Sequence, residues 1–242
     1  MLINTVLVYI RESLPVLLLL ATLLRLPQKN RRWLLHCVLI TVFMLIFLPP
    51  WLGEITQMAD GNGLELLYIA AHFCTLLALF TLCFRSQPNT VASVLAVCAQ
   101  ALLCGINLLL YGLTSVTADN SAESFWLGAV LGSGIGLSIA VIWYQLLSEL
   151  QRVSQFVLGL MLALITARQA VETVTLLGQI DWLPSGQALW DSSAIVSEQT
   201  EAGVFFQAWF GYEATPDIVQ VSCWVLSVVS MLVLWQWRRG RQ

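Results

Sequence analysis

Arg11 and Glu12 stand side by side in the run VLVYIRESLPVLLLL, with Pro15 three residues further on. Each ionisable side chain inside a membrane helix costs about 2.5–3.5 kcal/mol on insertion scales, so such residues mark candidate sites. Adjacent helical residues point about 100° apart, so Arg11 and Glu12 cannot satisfy each other well and each needs a partner elsewhere. Pro15 has no N–H and frees the carbonyl of Arg11 four residues back. A freed carbonyl beside a carboxylate is an oxygen-rich place, and hard cations prefer oxygen ligands. One reading is a cation or proton site centred on Glu12. The other is an ion pair between Arg11 and an acidic partner such as Glu172, locking helices together. Arg168 and Glu172 are four residues apart and meet on one helix face, where they can form a self-contained pair. His72 lies in a third apolar run, and His36 near the end of the second, where water reaches it.

The elements that carry these residues are membrane helices. Of 242 residues, 58% are hydrophobic and 10% charged, against about a quarter charged in a soluble domain; the mean hydropathy is +0.80. Seven runs reach the roughly 20 apolar residues that a spanning helix needs: 2–24, 33–52, 64–84, 91–113, 125–147, 155–177 and 218–237. Runs that stay apolar for twenty residues exclude a β-barrel, whose strands alternate. The chain reads as one all-α transmembrane domain without room for a large soluble one. The first run is too long and too charged at its centre for a cleaved signal peptide and is read as a retained helix. Cys37, Cys74, Cys83, Cys98, Cys104 and Cys223 all lie in apolar runs without a CxxC, which argues against disulfides and zinc. No basic cluster is interleaved with aromatics, so nucleic-acid binding has no support.

Charge sets the expected orientation. Arg25, Lys29, Arg31, Arg32, Arg85, Arg152, Arg238, Arg239 and Arg241 follow the odd-numbered spans, and the opposite loops hold no Lys or Arg. Those loops hold Glu54, Asp60, Glu65, Asp119, Glu123, Asp181, Asp191, Glu198, Glu201, Glu213 and Asp217. The positive-inside rule then puts the N-terminus outside and the C-terminus in the cytoplasm. The acidic outer face either gathers cations or is acidic by default. Trp33, Trp51, Trp126, Trp235 and Trp237 fall at span ends and are expected to be interfacial anchors. Gly128, Gly132 and Gly136 leave one face of the fifth span without side chains, for close packing of a neighbour helix. The long connection 178–217 holds Ala202, Phe205, Phe206, Trp209 and Phe210 at helical spacing, a short amphipathic helix ended by Gly211. It either lies on the outer membrane surface or packs on the bundle as a lid. Thr215 is expected as N-cap of the last span, with Pro216 at its first position.

An Arg-Glu on the first of seven helices resembles the oxidase-dependent iron permeases, the fungal high-affinity iron permease and the bacterial EfeU-type inner-membrane permeases. Their signature is R-E-x-x-E on the first and fourth helices, within two three-helix repeats plus a seventh helix. "WLGAVLGSGIGLSIAVIWYQLL" is similar to that family's glycine-rich fifth helix. The segment ending "FFQAWFGYEATPDIVQ", with Phe210, Gly211, Tyr212 and Pro216, resembles its outer loop and its entry into the last helix. The metal motifs depart from the pattern. Glu12 is kept, but Pro15 stands at the second glutamate, and the fourth-helix motif corresponds to Leu103-Cys104-Gly105-Ile106-Asn107. Arg168 to Glu172, RQAVE, resembles a degenerate copy on the sixth helix.

The resemblance implies a multi-pass permease of the inner membrane carrying a metal cation, iron first, with no tightly bound cofactor and no catalytic constellation of its own. Glu12 would be the main ligand, with Asn107, Cys104 and His72 lining the path. Arg11, Pro15, Arg168 and Glu172 would be its motif and charge partners. It also implies a periplasmic oxidase, electron-transfer or metal-delivery partner, besides membrane lipid. The eroded motifs leave two alternatives. One is a pseudo-permease serving as a structural or accessory subunit of a membrane complex. The other is a proton- or anion-coupled transporter using Arg11 and Arg168.

Overall fold

The computed structural model describes residues 2–26, 32–84, 89–119, 122–184, 186–197 and 200–240. Lys29, Arg31, Arg85, Glu198 and Arg241 lie outside the described residues. Among the described residues the regular elements are all helical: α1 (Leu2–Leu23), α2 (Trp33–Phe47), α3 (Leu52–Gln57), α4 (Gly63–Phe84), α5 (Thr90–Asp119), α6 (Ala122–Val153), α7 (Phe156–Gln179), α8 (Glu201–Phe210) and α9 (Ile218–Arg239). Seven stretches are long and apolar enough to cross a membrane: α1, α4, α6, α7, α9, the α2–α3 segment Trp33–Gln57 and the stretch Thr90–Ser115 of α5. The chain is therefore a multi-pass helical membrane protein.

Three of the predicted spans differ from the helices that form. The predicted span 33–52 breaks at Phe47, because Pro49 and Pro50 follow and neither has an N–H for the ladder. A single 3₁₀ turn and the short α3 carry the chain onward. The predicted spans 91–113 and 125–147 extend into the 30-residue α5 and the 32-residue α6, since polar residues beyond an apolar run still form helix when nothing breaks it.

α1 packs along α6, α5 along α2, α4 against both α5 and α7, and α9 along α7. The glycine stripe explains the first contact. A Cβ on Gly132 would stand 2.6 Å from Tyr9 Cβ and 2.8 Å from the Val6 carbonyl oxygen, so α1 lies directly on the α6 backbone there. Gly128 faces Thr5 and Gly136 faces Ser13 along the same seam. A large core near the end marked by Arg25 and Arg238 contains Leu19, Leu23, Leu79, Leu82, Leu158, Leu162 and Met231.

Trp33 and Trp235 belong to that core, at 1% and 6% exposure, and so are not interfacial anchors. Trp235 fills the space opposite Gly159, a packing role that outcompetes the membrane interface. Trp51, Trp126 and Trp237 remain exposed. At the same end Arg25 donates to the Tyr144 carbonyl at 2.8 and 3.1 Å and stacks over its ring. Arg238, buried, donates to the Leu82 carbonyl at 3.1 Å. The six cysteines are free thiols.

The 178–217 connection starts and ends at the Gln179 end of α7, and α8 is packed inside the bundle. Ala208 is buried among Leu14, Leu18 and Ala21 of α1 and Trp143 and Leu147 of α6. Trp209 meets Trp143 edge-on at 4.1 Å between ring centroids. Leu14 to Ala21 is the second half of α1, so α8 reaches past mid-bundle and the chain turns back there. Such a re-entrant element needs its helix ends satisfied by protein. Thr200 caps the start, its Oγ1 accepting from Gly203 N. At the deep end Gly211 takes the left-handed conformation (φ 66°) and returns its N–H to Gln207. The Trp224 indole donates to the Phe210 carbonyl at 2.7 Å.

The returning strand segment is tied by Leu189 N to Pro216 O and Ser192 N to Ala214 O, and Tyr212 donates to Val196 O. Asp191, at the loop surface, accepts from Ser193 N and Oγ, which holds its carboxyl below the usual carboxylate range. Asp217, not Thr215, is the N-cap of α9: it accepts from Gln220 N at 2.7 Å while the Gln220 side chain accepts from Asp217 N at 2.8 Å. This reciprocal box satisfies two end groups at once, which a lone Thr215 hydroxyl could not.

Candidate functional site

α1 runs unbroken through the buried Pro15, so Arg11 and Glu12 keep helical geometry near its midpoint. Glu12 reaches across to α5, where Asn107 Nδ2 donates to its Oε2 at 2.7 Å. Tyr68 of α4 donates its hydroxyl to Asn107 Oδ1 at 2.5 Å. The three side chains form one polarised relay, Tyr68 to Asn107 to Glu12, in which each donor strengthens the next. Arg11 stays outside it. Its Nε is 4.0 Å from Glu12 Oε1, too far for a hydrogen bond, and its side chain is 58% exposed.

The second group is carried by α7. Arg168 NH2 lies 3.4 Å from Glu172 Oε1, a loose contact along one helix face. His72 of α4 donates its Nδ1–H to Gln169 Oε1 at 2.6 Å, which leaves Nε2 of the neutral ring as an acceptor. Gly211 sets the depth of this group. A Cβ there would meet Arg168 Cα at 2.9 Å, so the turn of the re-entrant segment rests on the α7 backbone. Five buried side-chain polar atoms among the described residues lack a protein partner, and two of them, Arg168 Nε and Gln100 Oε1, belong to residues at this site.

Both groups open into one cavity of about 140 Å³. Arg11, Glu12, Pro15, His72, Cys104, Asn107, Arg168 and Glu172 all line it, so the structure brings together every site residue named from the sequence. α8 closes one wall with Val204, Gln207 and Ala208. Sequence reasoning missed Tyr68, Gln100 and Gln207. A signal was present for two of them. Gln100, Cys104, Asn107 and Tyr111 recur at four, three and four residues, a polar stripe on one face of α5. Tyr68 sits four residues before His72 on α4. Gln207 had no such signal, because its role depends on how deeply α8 inserts.

Chemically the wall is mixed. Glu12 and Glu172 offer carboxylate oxygens, and Asn107, Tyr68 and Gln100 offer neutral ones, the donor set a hard cation takes. Arg11 and Arg168 balance the two carboxylates. Among the described residues no group of three or more His, Cys, Asp or Glu side chains is gathered to hold a metal ion. Cys104 lines the cavity beside the relay, and His72 has one ring nitrogen committed to Gln169. No family model, no curated protein and no solved structure matches the chain.

Proposed function

We propose that this protein is a divergent permease of the oxidase-dependent iron transporter type, moving a metal cation, iron first, through the cavity at Glu12. The observation that carries the reading is the Asn107–Glu12 hydrogen bond. It joins the α1 and α5 positions that correspond to the two R-E-x-x-E motifs, 95 residues apart in sequence, at one wall of a polar cavity within a membrane bundle. The packing pattern supports a pair of three-helix repeats, α1-α2-α4 and α5-α6-α7. Exchanging the repeats turns the α1–α6 contact into the α5–α2 contact and maps α4–α7 onto itself. The basic residues support an N-terminus outside and a C-terminus in the cytoplasm of an inner membrane. In that orientation the acidic 178–217 connection faces the side from which an oxidase or metal-delivery partner would approach. Glu12 is the main ligand, Asn107 and Tyr68 fix its position, and Arg11 stands beside it as its charge partner.

A second reading is favoured by a specific observation. Arg11 and Arg168 each lie within 4.0 Å of a carboxylate, and the described residues hold no three-ligand cluster. A pseudo-permease that serves as an accessory subunit of a membrane complex would keep the fold with its charges cancelled. The two are separated by labelled-iron uptake in cells lacking their own iron import. Uptake above background, abolished by Glu12→Gln at equal protein level, is the outcome expected of the permease. No uptake, with stoichiometric co-purification of another membrane protein, establishes the accessory subunit instead.

A further inference from the structure

The charges and unmatched polar atoms of the cavity point to a cargo more complex than a bare ion. Arg11 and Arg168 offset Glu12 and Glu172, so with His72 neutral the wall carries no net charge. A divalent or trivalent cation entering alone would find no net opposite charge on that wall, and its own charge would stay uncompensated in a medium of low dielectric. The guanidiniums are also under-used. Each has five N–H donors. Arg168 spends one loose contact on Glu172 and leaves Nε without a partner, and Arg11 is beyond hydrogen-bond reach of Glu12. Gln100 is 3% exposed, and its Oε1 likewise lacks a partner. A buried polar atom left unmatched is costly, and more so at membrane depth. The space also exceeds an ion's need. A water's share of liquid volume is about 30 Å³, against a cavity of about 140 Å³.

We infer that the cavity takes its metal cation together with a planar oxyanion, a carbonate or short carboxylate, held by Arg168 and Arg11 while the metal faces Glu12. The flat, forked guanidinium matches two oxygens of such an anion at once. Gln100 Oε1 accepts from a metal-bound water or from the O–H of a bicarbonate. The anion supplies oxygen ligands that the eroded motifs no longer provide, and its charge offsets the cation's. This inference rests on the permease reading and names the form of its cargo.

The test uses the full chain in lipid nanodiscs with Fe²⁺ kept reduced under argon, in chloride, acetate or bicarbonate. Iron binding should tighten about tenfold in the presence of the oxyanion, a usual size for coupling between two ligands. Carbon-14-labelled acetate or bicarbonate should be retained only when iron is present. Arg168→Gln should abolish the enhancement, so that iron affinity no longer depends on which anion is present. Arg168→Lys, which keeps the charge but loses the fork, should lose most of it, with the melting temperature reporting that both variants fold. Enhancement by bicarbonate alone assigns the site to carbonate, and enhancement by both assigns it to carboxylates as well. Iron binding that depends on Glu12 but is equal in the three anions overturns the inference and leaves the permease standing, as does enhancement that survives Arg168→Gln. Failure to bind iron in any anion overturns the permease reading and the inference with it.

Discussion

Two Arg–Glu pairs share one cavity and are built in opposite ways. Arg168 and Glu172 lie four apart on α7 and meet at 3.4 Å without help from another helix. Arg11 and Glu12 are neighbours on α1, diverge around the helix and come no closer than 4.0 Å. Glu12 is therefore satisfied across a helix interface by Asn107. The i,i+4 spacing closes a pair on itself, while the i,i+1 spacing leaves both members open to other partners. The α7 pair depends on its own backbone, and the α1 pair on how α1, α5 and α6 are packed.

The α1 pair is most vulnerable at the α1–α6 seam. Gly132→Leu must push α1 away from α6, and should cost about 3 kcal/mol, read as a fall in melting temperature and in folded yield from detergent. Because α1 moves while α7 does not, the iron binding at Glu12 that the permease proposal expects should be lost in whatever fraction still folds. The α7 pair has its own weak point at the re-entrant turn. Gly211→Ala places a Cβ against Arg168 Cα in a left-handed residue, and should cost about 2 kcal/mol by thermal unfolding, with greater protease access to α8.

The relay itself is sharper still. Asn107→Leu removes a hydrogen bond to a charged group and should cost about 1.5 kcal/mol in denaturant-induced unfolding. Glu172→Gln, which loosens a self-contained helical pair, should cost only about 0.5 kcal/mol in the same assay. If the last two values were equal or reversed, the distinction between a cross-helix carboxylate and a same-helix one would be wrong.

Much of the architecture was legible because lipid solvation imposes simple rules. The apolar runs mark the spanning helices, since a backbone in hydrocarbon must bond within itself. The helix ends were less legible. α5 and α6 run past their apolar windows, and Pro49-Pro50 cut the second span short, so hydropathy and hydrogen bonding mark different boundaries. Two of five tryptophans at span ends turned inward, because residue type and depth do not reveal which face of a helix a neighbour covers. The cap of α9 moved from Thr215 to Asp217 because Gln220 three residues on completes a reciprocal box.

The site divides along the same line. Composition and spacing alone marked Glu12, Arg11, Arg168, Glu172 and His72, since ionisable groups in apolar helices stand out against their surroundings. Spacing alone also settled which pair could close on itself. Tertiary structure decided that these residues share one cavity, that Asn107 and Tyr68 complete the Glu12 relay, and that α8 enters the bundle to form a wall. Those outcomes depend on helix rotation, depth and contact, and the partners that set them lie tens of residues away in the chain.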